Sequence, residues 1–91
     1  MSVTRDLPDL SLEEIETAVR RTWAKSLGVR TISRDDDFYK LGGHSLVAVR
    51  TILDIGESLG VTPDLPRFGG MTTPAAVTEV FAELARRQRR L

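Results

Sequence analysis

Three segments of the chain repeat apolar residues at spacings of three and four, and no segment alternates in the manner of a β-strand. The spacing predicts three main helices, with glycine or proline between them. A chain of 91 residues forms one small domain, which buries only about 60–65% of its unfolded surface. We therefore predict an all-α fold: a small four-helix bundle of three main helices and one short helix, with a long loop between helices 1 and 2.

The first predicted helix runs from Ser11 to Leu27. Ser11 and Glu14 form a capping box at its start, and Gly28 is a typical stop after the last periodic residue. The residues expected to face inward share one side of the helix: Leu12, Ile15, Val19, Trp23 and Leu27. Residues 1–10 are expected to be a flexible leader.

The segment from Val29 to Gly43 is long for a loop in a small domain, so we expect it to pack over the core. The contacts are expected from Ile32, Phe38 and Leu41. The three adjacent aspartates, Asp35–Asp37, are interpreted as a solvated turn, because three adjacent carboxylates do not all face one ion. A partner-facing acidic edge is an alternative, and no metal site is expected.

The second predicted helix runs from Ser45 to Leu59, with Gly60 as its stop. At about 100° per residue it carries two apolar stripes. The stripe expected to face the core comprises Ala48, Ile52, Ile55 and Leu59. The other stripe comprises Leu46, Val49 and Leu53. A helix that is apolar over so wide an arc indicates a second contact, and from the pattern alone both partner recognition and complete burial stay open.

The segment from Val61 to Gly70 holds two prolines and two glycines, so at most one short helical turn fits there, around Leu65 to Phe68. The last helix is expected to start at Pro74, with Thr73 as its cap, and to end near Arg87. Its inward residues are expected to be Val77, Val80, Phe81 and Leu84. This assigns residues 11–87 to the domain and residues 88–91 to a basic tail.

Composition excludes several classes of function. The formal net charge is zero, which argues against bulk electrostatic binding of nucleic acid. No run approaches the ~18 apolar residues of a membrane span. The absence of cysteine means that any thiol chemistry must use an added thiol. We expect a soluble, cytoplasmic monomer that binds neither nucleic acid nor membrane.

Asp37 to Leu46, with the sequence DFYKLGGHSL, places Ser45 after two glycines and a histidine at the start of a helix. The hydroxyl is expected to be exposed at the positive end of the helix dipole, a suitable place for a phosphate. A catalytic serine would need an oriented base and an oxyanion pocket, and His44 is a neighbour on a turn, badly placed for proton transfer. We therefore expect another enzyme to act on Ser45. The alternatives are a plain helix cap and a small hydrolase.

The LGGHSL core after an acidic and aromatic stretch resembles the phosphopantetheine attachment site of thiolation domains, the peptidyl carrier proteins of nonribosomal peptide synthesis. The segment 22–29, TWAKSLGV, looks like the end of the family's first helix, and Ile32 looks like the buried residue before its acidic loop. The resemblance spans roughly residues 12–85. It implies that Ser45 carries a covalent 4′-phosphopantetheine from coenzyme A, within a motif formed by Gly42, Gly43 and His44.

The resemblance also implies a function without catalysis. An aminoacyl or peptidyl group is held as a thioester on the arm and presented to partner enzymes in the biosynthesis of natural products such as antibiotics. The expected partners are a phosphopantetheinyl transferase, an adenylating enzyme, and condensation or tailoring enzymes. In carrier proteins the helix after the serine is the docking surface, which assigns these residues to partner recognition: Leu46, Val49, Arg50, Leu53 and Glu57, with Asp54 beside them.

Two alternatives to a peptidyl carrier stay open: an acyl carrier of polyketide or fatty-acid type, and a helical interaction domain without a prosthetic group. His44 stands where fatty-acid-type carriers usually have aspartate, and the helix after Ser45 is not strongly acidic, which favours the peptidyl class. The chain starts at Met1 and holds little beyond one domain, so we expect a free-standing carrier. Excision from a longer synthetase is the alternative.

Overall fold

The computed structural model describes residues 10–89, which form three α-helices and one 3-10 turn. The helices are α1 (Leu12–Leu27), α2 (Ser45–Leu59) and α3 (Pro74–Arg89), and the 3-10 turn is Leu65–Phe68. Helix α1 packs against both α2 and α3, and the 3-10 turn packs against α3. No strand occurs in residues 10–89, so the all-α class is confirmed. The leader prediction, apart from Leu10, and the last two tail residues lie outside the described residues.

Helix α1 begins with the predicted capping box. The Ser11 hydroxyl accepts a hydrogen bond from Glu14 N at 3.1 Å, and Ser11 N donates to the Glu14 carboxylate at 2.9 Å. Ile15 and other members of the predicted face are buried, but Leu12 is 56% exposed, and its prediction as an inward residue is wrong. The chain entering the helix explains the difference, because Leu10, just before the cap, packs against the core instead.

Helix α2 buries Ile52 and Ile55, and Ala48 and Leu59 pack against the core while partly exposed. Gly56, which the apolar pattern did not indicate, is buried as well. A Cβ on that residue would lie 2.6 Å from the Val61 carbonyl oxygen and 2.8 Å from Pro63 Cδ. Position 56 therefore needs glycine because the chain that leaves α2 folds back against it.

Helix α3 buries Val77, Phe81 and Leu84 as predicted, with Val80 partly buried beside them. It continues past the expected end near Arg87 as far as Arg89. The Gln88 side chain accepts from Thr62 N at 2.9 Å and donates to Thr62 O at 2.7 Å. Gln88, which the sequence places in the basic tail, is thus hydrogen-bonded to the segment that follows α2.

The 3-10 turn is attached to α3 by charge and by aromatic packing. Arg67 forms a hydrogen-bonded ion pair with Glu83, which also lies 3.5 Å from the Arg87 guanidinium. The rings of Phe68 and Phe81 are 4.8 Å apart between centroids. These contacts hold the segment between α2 and α3 against the bundle. No helix in the described part of the chain is long and apolar enough to cross a membrane.

The segment between α1 and α2 is anchored at both sides of the bundle. The Arg20 side chain of α1 donates to the Ile32 carbonyl at 2.8 Å, and Ala75 N of α3 donates to the Arg34 carbonyl at 2.9 Å. Ile32 and Phe38 are buried as predicted. Leu41 is exposed, contrary to the prediction, because Phe38 already occupies the space against the core at this point.

Candidate functional site

Ser45 is the first residue of α2, and its side chain is exposed. The N-cap residue of the helix is His44. Its backbone is extended, and its side chain makes no capping hydrogen bond to the helix. No acidic side chain lies in the first turn of α2. The hydroxyl therefore stands at a helix start whose partial positive charge is not neutralised by an acidic side chain of the first turn. Ser45 is not the cap, so the alternative of a plain capping serine is wrong.

The two glycines before His44 are needed for different physical reasons. Gly42 has φ +103°, which side-chain-bearing residues rarely adopt, and the space around it is open. Gly43 has no positive φ, but a Cβ there would lie 2.7 Å from Cζ of Phe38 and closer still to two other ring carbons. Gly42 allows a sharp backbone turn, and Gly43 allows a close approach to Phe38 of the same chain.

A carboxylate organises the turn that leads to the glycines. The Asp37 side chain accepts hydrogen bonds from Tyr39 N at 2.9 Å and Lys40 N at 3.2 Å. The Lys40 N–H, with smaller help from the Thr72 hydroxyl and the Tyr39 N–H, holds the pKa of Asp37 below its usual value. The Asp36 side chain accepts from Ser33 N at 2.9 Å. The predicted turn is therefore present, and the side chains of Asp36 and Asp37 accept backbone hydrogen bonds within it.

The arrangement offers no means of activating Ser45 as a catalyst. Within residues 10–89 the exposed His44 ring makes no hydrogen bond to Ser45 or to a carboxylate, so no oriented acid–base pair is formed. The same residues contain no group of three His, Asp or Glu side chains that could hold a metal ion.

The second apolar stripe of α2 points away from the bundle. Leu46 is 76% exposed, Val49 43% and Leu53 45%. Arg50 and Glu57, the charged residues assigned to recognition, are exposed too. The alternative that both stripes are buried is therefore wrong, whereas the role of this stripe in recognition stays a prediction.

A groove of about 200 Å³ lies beside Ser45, between α2 and the 3-10 turn. Its walls are mainly apolar: Tyr39, Ala48, Val49, Ile52, Leu65, Phe68, Gly69 and Gly70. Sequence reasoning missed the contribution of the 3-10 turn and of Tyr39. The only available signal was that Leu65, in a segment rich in proline and glycine, had no assigned place in the core.

These features fit a phosphate-linked prosthetic arm. The serine oxygen is accessible, and the first turn of α2 has no carboxylate that would repel a phosphate. An apolar groove lies next to Ser45. Ser45 would hold the arm, and the arm would supply the thiol that this chain lacks.

Residues 17–81 match the family described as phosphopantetheine attachment site. The chain is 36% identical over 76 residues to malpinin synthetase of Mortierella alpina, covering 82% of this chain and 1% of that protein. It is 40% identical over 67 residues to a probable non-canonical nonribosomal peptide synthetase of Salinispora arenicola, covering 74% and 1%. Against surfactin synthase subunit 3 of Bacillus subtilis (strain 168), identity is 42% over 53 residues, covering 58% and 4%.

The chain therefore belongs to the phosphopantetheine-attachment family. Within that family it is a peptidyl carrier, or thiolation, domain of nonribosomal peptide synthesis. It is a carrier rather than an enzyme, and its prosthetic group is 4′-phosphopantetheine. These predictions are confirmed, and the interaction domain without a prosthetic group and the small hydrolase are both wrong. The chain spans only 1–4% of the length of these relatives.

Proposed function

We propose that Ser45 is the attachment residue and that this chain presents an aminoacyl or peptidyl thioester on the arm to partner enzymes. The observation that supports the proposal most is the exposed hydroxyl at a helix start that has no side-chain cap. Gly42, Gly43 and His44 are the motif residues that bring the chain to this point. The tether provides a high effective concentration of cargo at each partner's active site.

The attachment reaction needs only an accessible oxygen from this chain. The Ser45 oxygen forms a bond to the phosphorus atom nearest pantetheine in coenzyme A. The phosphorus–oxygen bond to the adenosine bisphosphate breaks, and that product leaves with the bonding electron pair. The hydroxyl proton passes to a base of the transferase, so this chain needs no base of its own.

The attachment site is tested by weighing three proteins after incubation with coenzyme A and a broad-specificity phosphopantetheinyl transferase. Wild type and Ser58→Ala, a control at another exposed serine of α2, should both gain the mass of one phosphopantetheine group. Ser45→Ala should gain none. Its stability should change by no more than about 0.5 kcal/mol, because Ser45 is not the helix cap. A phosphopantetheine mass on Ser45→Ala would end the assignment.

We propose an amino acid as cargo, loaded by an ATP-using adenylating enzyme and passed to condensation or tailoring enzymes. The partners of strongly acidic carriers dock through basic patches. This chain has His44 before the serine and both Arg50 and Glu57 on the following helix, so it would fit such patches poorly. The test offers the holo protein to a fatty-acid malonyl transferase and to amino-acid adenylating enzymes from its own gene neighbourhood. Efficient malonylation without any aminoacylation would contradict an amino acid as the cargo.

We propose that partners dock on the exposed stripe of Leu46, Val49 and Leu53, with Arg50 and Glu57 setting charge complementarity. The stripe starts one residue after the attachment site, so a docked partner meets the base of the arm.

We further propose that the working carrier is a four-helix unit in which Leu65–Phe68 is the short helix and the long first loop carries the attachment turn. The domain proposed for residues 11–87 extends to Gln88, because of its hydrogen bonds to Thr62. A cytoplasmic and monomeric form is our proposal for the native protein.

A further inference from the structure

Phe38 contacts three separate parts of the molecule close to the start of α2. Its backbone N–H donates to the Thr72 carbonyl at 2.7 Å, which ties the loop to the segment before α3. Its carbonyl accepts a hydrogen bond from Gly43 N at 3.0 Å. Its buried ring meets the Trp23 ring of α1 edge to face, with 5.2 Å between centroids. One residue therefore connects α1, the start of α3 and the turn before α2.

The Phe38 ring also excludes any side chain at position 43. A Cβ on Gly43 would lie 2.7 Å from Cζ of the ring, well inside van der Waals contact. The ring has little freedom to retreat, because Trp23 lies on one side and Tyr39, at 5.5 Å between centroids, on another. The backbone of Gly43 thus passes against the ring only two residues before Ser45. The place of the ring sets the place of this backbone.

We infer that Phe38 is a positioning residue for the modification of Ser45, and that it acts through its close approach to Gly43. The inference rests on the proposed function, in which Ser45 is the attachment residue. Phosphoryl transfer requires the attacking oxygen to be aligned with the phosphorus, and a displacement of about 1 Å can slow such a reaction about a hundredfold. Movement of the backbone at position 43 is therefore expected to change the rate of modification.

The test compares modification kinetics of wild type, Gly43→Ala, Phe38→Leu and the double variant, at a temperature where circular dichroism shows each to be folded. Gly43→Ala should be modified about tenfold or more slowly than wild type. Phe38→Leu should lower kcat about threefold or more, with little change in the KM for the carrier. In the double variant, leucine leaves room for the new methyl group. Its rate should therefore return to within about threefold of Phe38→Leu alone.

Leu84→Ala is the control for stability. Leu84 is buried in α3, about two and a half turns from Ala75, which bonds to the loop. It should lower the melting temperature without slowing modification. The inference is overturned if the effects of the two single substitutions multiply in the double variant, if Phe38→Leu keeps the wild-type kcat, or if Leu84→Ala slows modification as much as Gly43→Ala.

Folding of the variants is itself informative. If Gly43→Ala does not fold, a double variant that folds and is modified at the rate of Phe38→Leu supports the inference, and a double variant that also fails to fold overturns it. Failure of the Ser45 assignment would look different, because it would appear as a phosphopantetheine mass on Ser45→Ala whatever the rates of these variants.

Discussion

The two faces of α2 are built from the same kinds of residue but end in opposite environments. Ile52 and Ile55 are buried against the bundle, whereas Leu46 and Leu53 are exposed. Both faces are aliphatic, and both lie on one regular helix that begins at Ser45. The difference comes from the neighbours, because α1 packs against the core face of α2, whereas the described part of the chain covers the other face only in part.

This contrast shows why hydrophobicity alone does not distinguish a core from a recognition surface. Exposed aliphatic side chains contribute less to the stability of the monomer than buried ones, and a large patch of them is typical of a contact with another molecule. Across the groove from the exposed stripe of α2 lies Leu65, which is exposed as well. The substitutions on α2 described below test whether its two faces differ in this way.

The largest effect on stability is expected on the core face. Ile55→Ala should lower the free energy of unfolding by roughly 2–5 kcal/mol, because Ile55 is fully buried and the bundle closes only partly around the cavity. Leu53→Ala, two residues earlier on the exposed stripe, should leave the melting temperature nearly unchanged. Urea denaturation of both variants is the measurement. Equal losses would mean that both stripes are core.

Gly56 tests how tightly the core face is packed. Alanine is favoured over glycine in a helix by about 1 kcal/mol, but here its methyl group would meet the Val61 carbonyl and Pro63. Gly56→Ala should therefore destabilise the domain by about 1–3 kcal/mol, as overpacking does. Ser58→Ala on an exposed part of α2 is the control and should stay within about 0.5 kcal/mol of wild type. A more stable Gly56→Ala would contradict the observed close approach.

A substitution on the exposed stripe should change loading or transfer of the cargo rather than stability. Leu53→Ala should slow loading by the adenylating enzyme or transfer to the next enzyme about fivefold or more, if it removes a central contact of the docked complex. The matched control is Leu12→Ala, because Leu12 is an exposed leucine at the start of α1. The measurement is the steady-state rate of each variant after all of the carrier has received its phosphopantetheine arm. Equal rates for the two variants would remove the docking role from this part of the stripe.

The smallest expected effect is on the pH dependence of stability. Asp37 has a lower pKa in the folded protein than its usual 3.8, because the Lys40 N–H bonds to the carboxylate. Its contribution to stability is therefore present above the unfolded pKa and is lost as the pH falls through the folded pKa. Asp37→Asn should narrow the difference in stability between pH 6 and pH 3, which acid titration followed by circular dichroism measures. An unchanged pH dependence would show that the turn before Ser45 does not depend on this charge.

Local signals predicted most of the secondary structure. The capping box of Ser11 and Glu14 and the stops at Gly28 and Gly60 gave the bounds of α1 and the end of α2, because each depends on hydrogen bonds within a few residues. The family resemblance centred on Ser45 rests on a short motif of consecutive residues, so it too is visible in the sequence alone. Local signals failed for Leu12 and Leu41, whose exposure depends on which other residue had already filled the nearby core.

By itself, the sequence determined the all-α class, the start of α2 at Ser45 and the family, because these depend on periodicity, caps and a motif read along the chain. Only the tertiary structure requires glycine at positions 43 and 56, and only the tertiary structure determines which stripe of α2 is exposed. Those answers depend on close approaches between residues far apart in the chain or brought together by a turn, and pairwise distances of that kind are set only when the helices pack.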